Sequence, residues 1–167
     1  MVVLPWLFLG ASASPAPQGS PPPPSAPPPS GSIYAFVFSG VRGGSGGITA
    51  ELQLAEIKLY GVDGQELTVL EASNPDGVEP TPWEGAASAI DGNLATKWLD
   101  ANITKPGGRH SATLLLSLAA ATPVASYDIF TANWPPRRDP SSWTFAVYRP
   151  YRPTEEGEAE SEAFEPL

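Results

Sequence analysis

From Ile33 onward apolar positions alternate with a period of two: Tyr34, Phe36 and Phe38 fall on one side of an extended chain, and Ile33, Ala35 and Val37 on the other. That period is the one a β-strand imposes, and three aromatic rings on one side predict a strand whose aromatic face is buried. The segment LQLAEIKLYG at 52–61 carries its apolar residues at Leu52, Leu54, Ile57 and Leu59, so the alternation slips once near Ala55. A strand with a bulge there accommodates the slip. Gly61-Val62-Asp63-Gly64 is turn chemistry for a reversal, and the β-rich run 67–70 follows it. Further strands are predicted at 112–118, 126–132 and 143–148, with turn residues NPDG at 74–77, PGG at 106–108 and PP at 135–136. Only 84–90 suits a helical turn. Short strands separated by turns predict an all-β antiparallel sandwich of jelly-roll type.

Composition agrees and sets the boundaries. Twenty-one Pro and 16 Gly against 16% charged residues belong to many turns rather than long helices. Residues 1–13 hold an apolar run, Val2 to Leu9, followed by the small-x-small Ala11-Ser12-Ala13. They read either as a signal peptide or as a truncated start, since no basic residue precedes the run and Pro5 interrupts it. Residues 14–32 are nearly all Pro, Ser, Ala and Gly, the composition of a stiff polyproline linker. The single domain is expected at 33–150. Residues 151–167 hold six of the 18 acidic residues and are expected as an acidic disordered tail.

Locating the charge changes its meaning. The formal net charge is -9, but between Ile33 and Pro150 there are 12 acids and eight bases. A mildly acidic domain has no basic face for a phosphate backbone, so nucleic acid is not expected as a partner. The N-terminal apolar run is far below the ~20 residues needed to span a bilayer. With no Cys, disulfides, thiolate metal sites and thiol nucleophiles are all excluded. The Gly-rich stretch 41–47 lacks the Lys-Ser or Lys-Thr that closes a phosphate loop.

Three blocks in order carry a resemblance: LAEIKLYGVDG at 54–64, AIDGNLATKWLD at 89–100 and SYDIFTANWPPRRDPSSWTF at 126–145. Together they resemble discoidin domains, also called coagulation factor type C domains, which are galactose-binding-like modules related to carbohydrate-binding modules. The resemblance covers about 95 residues, and its middle block is the most specific. Asp91, Asn93 and Thr96 offer hard oxygens within a short loop, which suits Ca²⁺. The resemblance adds the Ala55 carbonyl and Glu56, from a strand matching an AE-x-x-x-YG pattern, to a structural calcium site. In the usual family order that strand closes the domain; here it precedes the loop, as in a circularly permuted version. The same oxygens also suit side-chain-to-backbone bonds that merely close a turn, so both readings stand. The resemblance also implies further strands after the third block, where this chain runs into its acidic end.

Aromatic rings stack on sugar C–H faces while planar polar groups fix the hydroxyls. Trp98 and Trp143 sit at strand positions and are expected in the core. Trp83 and Trp134 lie among Pro and loop residues and are the ligand-binding candidates, Trp134 with Asn133, Arg137 and Arg138 beside it. Arg138 and Asp139 are also expected to pair and brace the turn before Pro140. The single histidine, His110, is read as a surface residue without function, and Asn102-Ile103-Thr104 is a glycosylation sequon if the chain is secreted. No Gly-x-Ser-x-Gly elbow is present. The expectation is a non-catalytic module that binds glycan or glycoprotein outside the cell or at its surface. A protein- or phospholipid-binding adhesion domain is the alternative, with direct membrane contact not expected, and a glycoside hydrolase ranks last.

Overall fold

The alternating segment forms β1 (Ser30–Val41): Tyr34, Phe36 and Phe38 are fully buried and Ile33 and Val37 half-buried, as the period requires, while the small Ala35 between them is buried as well. The structure, a computed structural model, describes residues 30–43, 51–75, 77–101, 103 and 111–150, and the backbone of 163–166. Both edges of β1 are paired. On one side runs β7 (Ala112–Phe130), in the register Phe36↔Leu114, and on the other β8 (Pro140–Arg149), in the register Phe36↔Phe145. A strand paired on both edges leaves no unsatisfied ladder groups, which is why the most apolar strand sits at the centre of its sheet.

The two strands expected at 112–118 and 126–132 are one. β7 is 19 residues long and joins two sheets. Its first half alternates strictly between buried and half-buried positions and pairs β1 and β5 (Val69–Ser73). Its second half pairs β3 (Glu56–Gly61), which forms a hairpin with β4 (Glu66–Leu67). The phenol of Tyr34 pins the passage between the halves: it donates to the Thr122 carbonyl at 2.5 Å and accepts from the amides of Gly31 and Val124 at 3.2 and 3.3 Å. A buried hydroxyl with its donor and acceptor capacity filled is a specific lock rather than a cost.

The resulting fold is an all-β antiparallel sandwich. Phe36 meets Tyr127 of the second sheet edge-on at 4.9 Å and Phe145 at 4.5 Å, while Phe38 lies 5.8 Å from Trp98. The slip at Ala55 is more than a bulge, because it divides the expected strand between two partners. β2 (Leu52–Leu54) pairs β6 (Trp98–Asp100) in a separate ribbon, and β3 turns onto β7, with the Ala55 amide donating to the Phe130 carbonyl at 2.8 Å. The hairpin after β3 is as expected: the Gly61 amide donates to the Gln65 carbonyl, and Gly64 takes φ 75°, where a side chain would be strained. The helical turn near 84–90 is two 3-10 turns, Pro82–Glu84 and Ala86–Ala89.

At the C-terminal end, β9 (Ala163–Pro166) lies inside the stretch read from sequence as a disordered tail and pairs β8 in the register Val147↔Glu165. That part of the tail is therefore a strand. The N-terminal 29 residues, the turn at 106–108, His110, Asn102 and Thr104 of the sequon, and 151–162 lie outside the described residues.

Candidate functional site

The break at Ala55 aims Glu56 at the loop that precedes β6. Glu56 Oε2 accepts the Gly92 amide at 3.0 Å, and Gly92 adopts φ 73°, the left-handed conformation that a glycine holds without strain. Glu56 is buried. Burial raises its carboxyl above the ordinary range, the Gly92 N–H pulls it back, and the nearby Asp91 charge pushes it up again. Two segments 36 residues apart thus meet.

Within the loop the oxygens turn on one another. Asp91 Oδ1 accepts from the Asn93 amide at 2.9 Å, the Thr96 hydroxyl lies 2.9 and 2.7 Å from the two Asp91 oxygens, and Asn93 Oδ1 accepts from the Ala95 amide at 3.1 Å. The two bonds from the Asn93 and Ala95 amides are the side-chain-to-backbone kind by which Asp and Asn close turns, and the Thr96 hydroxyl adds a side-chain contact to Asp91. Asp91 and Asn93 are exposed and Thr96 half-buried, so ligand oxygens face solvent beside the buried Glu56. Among the described residues no group of three or more His, Cys, Asp or Glu side chains gathers. A calcium ion here would therefore rest on two carboxylates, Glu56 and Asp91, with neutral oxygens from Asn93, Thr96 and the Ala55 carbonyl completing the shell.

The second candidate follows β7. Asn133 Oδ1 accepts the Trp134 amide at 2.8 Å, which turns the chain, and Trp134 stands 71% exposed. Behind it the Pro135 carbonyl accepts Nε2 of the fully buried Gln53 at 3.1 Å. Gln53 Oε1 accepts Lys97 Nζ at 3.2 Å, and Lys97 pairs Glu84 at 3.6 Å. Glu84 directly follows Trp83, which is 76% exposed. This chain of contacts fixes the two exposed tryptophan loops, some 50 residues apart in sequence, to one buried amide at the same end of the sandwich.

Arg138 and Asp139 do brace their turn, but not through each other. Arg138 pairs Glu51, and Asp139 pairs Arg42 at 3.7 Å while the Arg42 amide donates to the Asp139 carbonyl. Arg138 is half-buried and tied to Glu51, just before β2, whereas Asn133 and Arg137 are exposed. Trp98 is fully buried as expected. Trp143, also expected in the core, is 36% exposed, because β8 presents it at the sandwich surface with Nε1 donating to the Tyr127 hydroxyl at 3.1 Å. Gln53, Lys97 and Glu84 were not found from sequence. The only signal was a polar residue, Gln53, at an alternating position inside an apolar strand.

No protein-family model matches the chain, and neither a curated protein nor a solved structure is significantly similar to it.

Proposed function

We propose that this chain is a non-catalytic carbohydrate-binding module of discoidin-like type, whose ligand face is the sandwich end carrying Trp83 and Trp134. The observation that carries the reading is the pair of indoles, 76% and 71% exposed, tethered to the buried Gln53 through Lys97, Glu84 and the Pro135 carbonyl. Exposed large rings on braced loops lose little freedom on stacking, and Asn133 and Arg137 stand beside Trp134 to meet hydroxyls. Glu56 and Asp91 are engaged with loop backbone and hydroxyl donors, which suits a bracing role better than acid–base work on a substrate. In this reading the module works outside the cell or at its surface, and a calcium ion held by Ala55, Glu56, Asp91, Asn93 and Thr96 stiffens the loop without touching ligand.

A glycan array followed by isothermal titration tests the face. Trp134→Ala and Trp83→Ala are each expected to weaken glycan affinity by about tenfold or more with the melting temperature unchanged. Glycan silence combined with tryptophan-dependent binding to phosphatidylserine vesicles or to collagen would move the module to the adhesion class. Turnover of a glycoside that Glu56→Gln abolishes would make it a hydrolase. For the ion, millimolar Ca²⁺ is expected to raise the melting temperature of the wild type but not of Asp91→Ala; equal response of both refutes the calcium site.

A further inference from the structure

A recess of about 470 Å³ opens between β5, the segment 77–79 and the 3-10 turns. Its size lies within the range of small-molecule sites, about 300–1,000 Å³. Three tethers hold its walls. The Ala101 amide donates to the Val78 carbonyl at 2.8 Å, Asn74 Nδ2 donates to the buried Asp100 at 3.1 Å, and the Ala86 amide donates to Glu79 Oε1 at 2.8 Å. The last bond leaves Glu79 Oε2 with no donor, and no Lys or Arg lines the recess, among the described residues. Gly85 makes room for that oxygen, since a Cβ there would come to 3.0 Å from Glu79 Oε2. The remaining wall is made of small side chains, from Ala72, Ser73, Pro82, Ala86 and Ala87.

We infer that this recess is a subsite for the ammonium group of an amino sugar, with Glu79 as its counter-ion. The inference rests on the saccharide reading, because the exposed Trp83, next in sequence to the lining residue Pro82, would carry the sugar ring whose ammonium enters beside Glu79. Glu79 is exposed, so its free carboxylate oxygen is open to a cation from solvent, and the small walls beside it suit a compact one. An ammonium donates up to three hydrogen bonds, and charge-assisted bonds are the stronger kind.

The test is titration of the full chain with β-1,4-linked glucosamine oligomers, with the same oligomers N-acetylated, and with a lysine-containing peptide. Wild type is expected to prefer the free amines, more so at low than at high salt. Glu79→Gln keeps an oxygen for the Ala86 amide and is expected to fold normally. It should lose at least about tenfold affinity for glucosamine oligomers and none for the acetylated ones. Equal affinity for both oligomers in the wild type, or an unchanged Glu79→Gln, overturns the subsite. Trp134-dependent binding of the acetylated oligomers would then leave the saccharide reading standing. Glu79-dependent binding of the peptide alone overturns the amino-sugar assignment in favour of a protein ligand, and silence toward every saccharide defeats both claims.

Discussion

Two sets of aromatic residues in this molecule are held by opposite means. On β1, Tyr34, Phe36 and Phe38 are packed into the sandwich, where Phe36 alone meets Phe38, Tyr127 and Phe145 at ring distances of 5.9, 4.9 and 4.5 Å. At the loop end, Trp83 and Trp134 project into solvent while polar contacts beneath them fix the backbone. Burial holds the first set, and hydrogen bonds and ion pairs position the second. Rings of the first kind contribute stability, whereas those of the second are free to contribute contact with a partner.

That contrast is most exposed to failure in a pair of variants. Phe36→Ala should cost about 3–5 kcal/mol of unfolding free energy by urea denaturation. Trp134→Ala should stay within about 0.5 kcal/mol of wild type. Comparable losses in the two would erase the distinction. Removing the amide that joins the tryptophan loops should give an intermediate effect: Gln53→Leu leaves the Pro135 carbonyl and Lys97 short of a partner, at about 1–3 kcal/mol. It should also weaken glycan binding although Gln53 itself is buried, and a stability loss with intact affinity would detach the network from the ligand face.

The smallest effect concerns the turn after the Trp134 loop. Burial raises the Asp139 carboxyl above its ordinary range, against the opposing charge of Arg42. A carboxyl that holds its proton more tightly folded than unfolded makes stability fall as pH rises between the unfolded and folded values, and neutral pH carries the full loss. Asp139→Asn removes this group's term. The wild-type-minus-variant difference in melting temperature should therefore become more favourable to wild type as pH is lowered through that window. A difference that moves the other way would mean that Arg42 outweighs burial.

The strands were legible because period-two alternation records burial directly, as in Tyr34, Phe36 and Phe38. The division at Ala55 was visible only as a slip, since a sequence shows that a register breaks but not that each half takes a different partner. The single β7 was read as two strands because its middle, 119–123, is exposed or half-buried and lacks the alternation of its ends. At the candidate site, Trp83 and Trp134 could be singled out by their loop surroundings. Their common location could not, because Gln53, Lys97 and Glu84 meet only after β2 pairs β6. Glu56 and the 91–96 loop were brought together in expectation by family resemblance alone, and in the structure by the Gly92 amide.

The central claim is that the two loop indoles, and not the two strand indoles, meet the ligand. In ¹⁵N-labelled protein each tryptophan gives one indole N–H resonance, and the five are assignable by single substitution. On titration with a glycan identified by array, the Trp83 and Trp134 resonances are predicted to shift in a saturable way while those of Trp98 and Trp143 hold still. Saturable shifts confined to Trp98 or Trp143, with Trp83 and Trp134 unmoved, would contradict the account.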